Sequence, residues 1–134
     1  VQRDKRTVSW YDPQNSKRRW SSTRVVVHID GPRHGPYAKE QEQARLDWWL
    51  KEDSARYVTG AKKSVMLNYT QGNGSQHLIK LIFSHRGCQI FLQLSSEPGT
   101  NSDCTEAMAL EFGRRLCRNI DRHFGGKPRD EVDF

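Results

Sequence analysis

HLIKLIFSHRGCQIFLQLSS, residues 77–96, alternates in the manner of two β-strands around a short turn at Arg86-Gly87. One face collects Ile79, Leu81, Phe83, Ile90, Leu92 and Leu94, a core surface. The other carries Lys80, Ser84, Gln89, Phe91, Gln93 and Ser95, with Leu78 and Ile82 mixed in. TRVVVHID repeats the pattern, with Val25, Val27 and Ile29 on one side and Arg24, Val26 and His28 on the other. SVMLNYT, residues 64–70, is a further strand with Val65, Leu67 and Tyr69 on one side. The turn-forming stretches GPRHGP and QGNGS separate these runs.

Helical spacing occurs twice. From Ala38 to about Tyr57 the chain is rich in Ala, Glu, Gln, Lys, Arg and Leu, and Leu46, Trp49 and Leu50 share one face. Asp53-Ser54 would recap or kink this helix, and Gly60 would stop it. A second helix is expected from about Cys104 to His123, entered through an Asp103/Glu106 capping box. Its apolar stripe is Ala109, Phe112, Leu116 and Ile120, and Arg115, Arg118 and Arg122 make a basic one. The fold class read from this order is α+β: a basic N-terminal arm, then β-α-β-β-β-α. One mixed or antiparallel sheet should carry both helices on one face and leave the other open. The divisions are residues 1–22 as the arm, with at most a short helical turn, 23–124 as a single α+β domain, and 125–134 as a flexible tail.

Composition narrows this picture. A chain of 134 residues with 34% apolar content and mean hydropathy of -0.89 supports one domain with a modest core. No apolar run reaches membrane-spanning length, and the first residues do not read as a secretory signal. Cys88, Cys104 and Cys117 are odd in number and lack CxxC spacing, which favours reduced, intracellular thiols. No histidine lies at a usual zinc spacing from a cysteine or another histidine, so neither metal nor other cofactor is expected.

Charge changes the picture more. Arg3, Lys5, Arg6, Lys17, Arg18, Arg19 and Arg24 stand against Asp4 and Asp12, placing +5 of the total +6 in the first 24 residues. A basic segment interleaved with Trp10 and Trp20 suits phosphate contact beside base stacking, which points to a nucleic-acid partner. Catalysis is not expected: Asp47, Glu52 and Asp53 read as solvated helix charges, and Cys88 and Cys117 as buried thiols. There is no phosphate-cradling glycine loop and no small-molecule substrate is implied. Two nucleic-acid modules fit poorly. An RRM needs more outward aromatics than Phe91, and a double-stranded RNA-binding domain needs a lysine cluster where NSDCTEAM is acidic.

The valine-rich strand opening at Arg24, DSARY at 53–57, the run QHLIKLIFSHRGCQIFL at 76–92 and a closing helix occur in one order. In that order, with Asp53-Ser54-x-x-Tyr57 and Arg86-Gly87-x-x-Ile90, the chain resembles the small RNA-silencing suppressors of tombusviruses and related aureusviruses. The resemblance implies a homodimer that binds double-stranded small interfering RNA on its sheet, independently of sequence, in the host cytoplasm. The contacts it implies are Arg24, His28, Gln76, Lys80, Ser84, Gln89 and Gln93, beside which Arg18 and Arg19 of the arm suit phosphates. The family stacks two nearby tryptophans on the duplex ends; here Trp10 and Trp20, ten residues apart, are the candidates. The last helix and the strand Cys88–Leu94 are the expected dimer interface. A protein-interaction module using the sheet and Trp48 or Trp49, or another basic α+β nucleic-acid-binding domain, is the alternative.

Overall fold

The computed structural model describes residues 2–11, 22–100, 103–125 and 134, with side chains described from residue 23 onward. Eight elements follow one another: β1 (Gln2–Tyr11), β2 (Ser22–Gly31), α1 (Ala38–Leu50), β3 (Arg56–Tyr57), β4 (Val65–Gln71), β5 (Gln76–His85), β6 (Cys88–Ser96) and α2 (Glu106–His123). The strands form one six-stranded sheet in the order β1-β2-β6-β5-β4-β3, every neighbouring pair antiparallel. The α+β class and the central alternating strands agree with the reading of the sequence.

The β5–β6 hairpin turns at Arg86 and Gly87, whose φ values of 50° and 79° are both positive, as a tight two-residue turn requires. Glycine is needed at 87 for a second reason. A Cβ there would lie 2.5 Å from the carbonyl oxygen of Arg33, because the loop after β2 packs on the turn. The Arg33 amide donates to the Gly87 carbonyl at 2.8 Å.

Period-two alternation gives the sheet two apolar faces. Val25, Met66, Ile79, Leu81, Phe83, Ile90, Leu92 and Leu94 lie against Ala109, Cys117 and Ile120 of α2. This is the main core; each large aliphatic side chain removed from water here contributes roughly 1.5–3 kcal/mol. Gly113 lets α2 sit close, since a Cβ there would meet Phe134 at 2.9 Å and Leu81 at 3.0 Å. On the reverse face, Val65, Leu67 and Ile82 pack against Leu46, Trp49 and Leu50 of α1, with Phe91 at the margin.

Several expectations are corrected. The helices lie on opposite faces, not one, because Val65, Leu67, Ile82 and Phe91 make an apolar patch on the face expected to stay open, and α1 covers it. The first helix ends at Leu50, not near Tyr57: Lys51, Glu52 and Asp53 are all exposed and offer α1 no further buried position, and Arg56–Tyr57 pairs with β4 instead. The N-cap of α2 is Thr105, whose hydroxyl accepts from the Met108 amide at 3.1 Å; Asp103 is engaged elsewhere. Residues 2–11, placed in the arm, form a strand paired with β2 along its whole length. Phe134, assigned to a flexible tail, is buried, its ring edge-on to Phe83 at 5.3 Å and its carbonyl accepting from the Ser64 hydroxyl.

Candidate nucleic-acid interface

Strand register decides which polar residues can act together. On β2, Arg24 pairs with Ser95, Val26 with Gln93, His28 with Phe91 and Asp30 with Gln89. On β5, Lys80 pairs with Gln93 and Ser84 with Gln89, while Gln76 pairs with Gln71 of β4. Residues paired across strands share a face, so Arg24, His28, Gln76, Lys80, Ser84, Gln89 and Gln93 all project from the face opposite α2. Arg24, His28 and Ser84 are exposed; Gln76, Lys80, Gln89 and Gln93 are half-buried.

The seven do not form one uninterrupted platform. α1 crosses this face over β4 and β5, fixed by its apolar residues and by Arg45. The Arg45 guanidinium donates to the carbonyls of Phe83 at 3.0 Å and Ile90 at 2.6 Å while pairing with Glu42 at 3.2 Å. Burial pulls the Arg45 pKa down and pushes the Glu42 pKa up, each opposed by the charge of the other. Leu78 and Ser95, in the same row as Arg24, are themselves buried. What lies beside α1 is a strip over β2 and β6, bearing Arg24, Val26, His28, Gln89 and Gln93. Lys80 stands at its border.

Lys80 is held, not free-swinging. Its ammonium lies 5.4 Å from the Trp49 ring centre and 5.2 Å from that of Tyr69. Trp49 in turn stacks on Phe91 at 5.5 Å, and His28 meets Phe91 edge-on at 5.6 Å, so an aromatic line runs from α1 to β2. Trp49, Glu52, Asp53, Ser54, Leu67, Tyr69 and Lys80 line an open pocket of about 440 Å³ at the foot of the helix. Trp48 is 58% exposed and packs edge-on against Trp49, the separation of roles expected of adjacent residues on a helix.

The expected contacts Arg18, Arg19 and Trp20 lie outside the described residues, as does the side chain of Trp10. The backbone register of β1 nonetheless sets Lys5 opposite His28, Thr7 opposite Val26 and Ser9 opposite Arg24. One basic residue, Lys5, therefore holds a register position beside the strip, a feature hidden while the first 22 residues read as an arm. Charge alone does not choose this face, since α2 carries Arg114 and Arg115, paired with Glu111, and Arg118 and Arg122.

The strand Cys88–Leu94, expected to take part in a dimer interface together with the last helix, lies inside the sheet as β6. β6 is flanked by β2 and β5 along its length, so it has no free edge with which to extend the sheet. The outermost strands are β1 and the two-residue β3.

Among the described residues, no helix is long and apolar enough to cross a membrane. No protein-family model, curated protein or solved structure matches the chain.

Proposed function

We propose that the chain binds double-stranded RNA across the strip over β2 and β6, without reading sequence, and that in a cell it sequesters short RNA duplexes from the silencing machinery. The observation that carries this reading is the register that gathers Arg24, His28, Gln89 and Gln93 beside α1, with Lys80 fixed at the border. The minor groove of duplex RNA is wide and shallow, lined by 2′-hydroxyls and flanked by phosphates, and is read by shape and by donors and acceptors of this kind. Glutamine amides suit the hydroxyls, and Arg24 and Lys80 suit the phosphates.

In this reading α1 is a wall at one side of the strip and not part of its floor. Trp48, the exposed aromatic on that wall, joins Trp10 and Trp20 as a candidate for stacking on a duplex end. A single strip is short, and a two-fold partner doubles it. The sheet ends in the ten-residue strand β1, and among the described residues nothing pairs with its outer edge. Pairing of β1 with its copy would continue the sheet and bring two strips onto one surface; this replaces β6 as the proposed junction.

The test is a mobility shift of the full chain with a short duplex RNA, the matching single strand and duplex DNA at low salt. Preference for duplex RNA is the expected result. Equal affinity for all three, or none for any, removes the reading. Exposed Trp48 is the observation favouring a protein partner instead, and a chain that ignores nucleic acid would leave that alternative standing.

A further inference from the structure

On the α2 side of the sheet, remote from the strip, three side chains of metal-ligating type converge. His77 near the start of β5, Asp103 before α2 and the buried Cys104 place their ligand atoms within 4.8 Å of one another. They escape notice in the chain because 27 residues separate His77 from Cys104.

The hydrogen bonds around His77 fix the orientation of its ring. The Glu106 carboxylate can only accept, so the Asn68 side-chain NH₂, 2.8 Å from it, faces Glu106 and donates. The carbonyl end of Asn68 is thereby turned to His77 Nε2 at 2.6 Å and must accept from it. The Nε2 proton is fixed in place, and Nδ1 faces Asp103 Oδ1 at 2.7 Å. A proton shared between Nδ1 and the carboxylate satisfies that contact, and so does a lone pair on Nδ1 with a cation held between it and the carboxylate. Outward donation from one ring nitrogen to a carbonyl group is the usual support of a histidine that binds metal through the other. Ser96 holds the remaining pieces, donating to Asp103 at 2.6 Å and accepting from the Cys104 amide at 2.8 Å.

We propose that His77 Nδ1, Asp103 and Cys104 Sγ form a binding site for a borderline divalent cation of the zinc class. A mixed nitrogen, oxygen and sulfur donor set is what such ions select over magnesium or calcium. Bonds of roughly 2.0–2.3 Å in a tetrahedral site separate ligand atoms by about 3.3–3.8 Å. The His77–Asp103 pair must therefore open by about half an ångström, and Cys104 Sγ must turn from the His77 carbonyl it now contacts at 3.7 Å. Binding replaces the thiol proton of Cys104 and the proton between Nδ1 and Asp103, and both leave to solvent. His77 and Asp103 side chains are 16% and 29% exposed, which gives the ion a path in. The consequence is a clasp between β5 and the entry to α2, independent of RNA.

Cobalt(II) titration of the full chain, purified under reducing conditions, tests this. The expected result is a thiolate-to-cobalt charge-transfer band with intense visible bands of a four-coordinate ion, saturating at one equivalent and displaced by zinc. The band should vanish in Cys104→Ser and persist when Cys88 and Cys117 are both replaced by serine. Absence of the band, or its survival in Cys104→Ser, overturns the proposal. Should Cys104→Ser fail to fold, zinc must raise the melting temperature of the wild-type chain and not that of His77→Gln. Equal shifts, or none, overturn it as well.

Discussion

The two faces of the sheet are built from the same alternating strands but reach different ends. Against α2, Ile79, Leu81 and Phe83 of β5 and Cys88, Ile90, Leu92 and Leu94 of β6 are almost wholly buried, and the one polar inward position between them, His85, meets Asp121 of α2 at 2.6 Å. Against α1, the apolar set is small and gives way to half-buried rings, a caged lysine and polar side chains that no helix covers. One face is filled to close the fold. The other is filled only as far as needed to seat a helix, and neither α1 nor α2 covers the remainder.

The sharpest way to break this contrast is to remove the same atoms from both faces. Leu81→Ala, in the α2 core, should cost about 3–5 kcal/mol, since a site enclosed by sheet and helix relaxes little. Leu46→Ala, beneath α1, should cost nearer 2–3 kcal/mol because the half-buried rings around it can collapse into the gap. Chemical denaturation measures both; equal losses would mean that α1 seats as firmly as α2. Arg45→Met comes next. It removes two charge-assisted bonds to the Phe83 and Ile90 carbonyls and leaves Glu42 without its guanidinium, an expected loss of about 1.5–3 kcal/mol.

Acidification acts on the α2 side. Burial opposes ionisation of Asp103, but hydrogen bonds from Ser96 and His77 outweigh it and hold its pKa below the usual value. The Asn68 hydrogen bond, with help from Arg56, lowers Glu106 in the same way against its own burial. Groups depressed in the folded state stabilise it above their unfolded pKa values, near 3.8 and 4.5. That contribution is lost as pH falls through the lower folded values. Thermal melts should therefore weaken below about pH 4.5, and Asp103→Asn with Glu106→Gln should flatten the acid limb. The smallest stability effect is expected for Lys80→Ala, under about 1 kcal/mol for contacts to two partly exposed rings. Its RNA affinity should fall nonetheless, with the slope of log affinity against log salt shallower by about 1.

Much of this was legible before the fold was known, and the reasons for the rest are physical. Period-two alternation located β2, β4, β5 and β6 and assigned Arg24, Lys80 and Gln93 to one face, because strand parity is local. The side on which a helix packs is not local. Ile82 was visible as an apolar residue on the outer face and Val65 and Leu67 as sharing one side of their strand, but only their adjacency across β4 and β5 makes them a patch wide enough for α1. The alternation in β1 is weak, with Val8 and Trp10 its only large apolar residues before Tyr11, so a paired strand read as an arm. His77, Asp103 and Cys104 could not be joined by spacing, since the loop that brings them together carries no ligand motif of its own.

The central claim is that the polar strip beside α1, and not the basic outer surface of α2, meets RNA. The most direct measurement is a map of backbone amide chemical-shift changes as a short RNA duplex is added to the full chain. Changes concentrated at Arg24, Val26, His28, Gln89, Gln93 and Lys80, with Arg115, Arg118 and Arg122 unmoved, are the predicted result. Changes centred on α2 with the β2 and β6 strip silent would contradict the account.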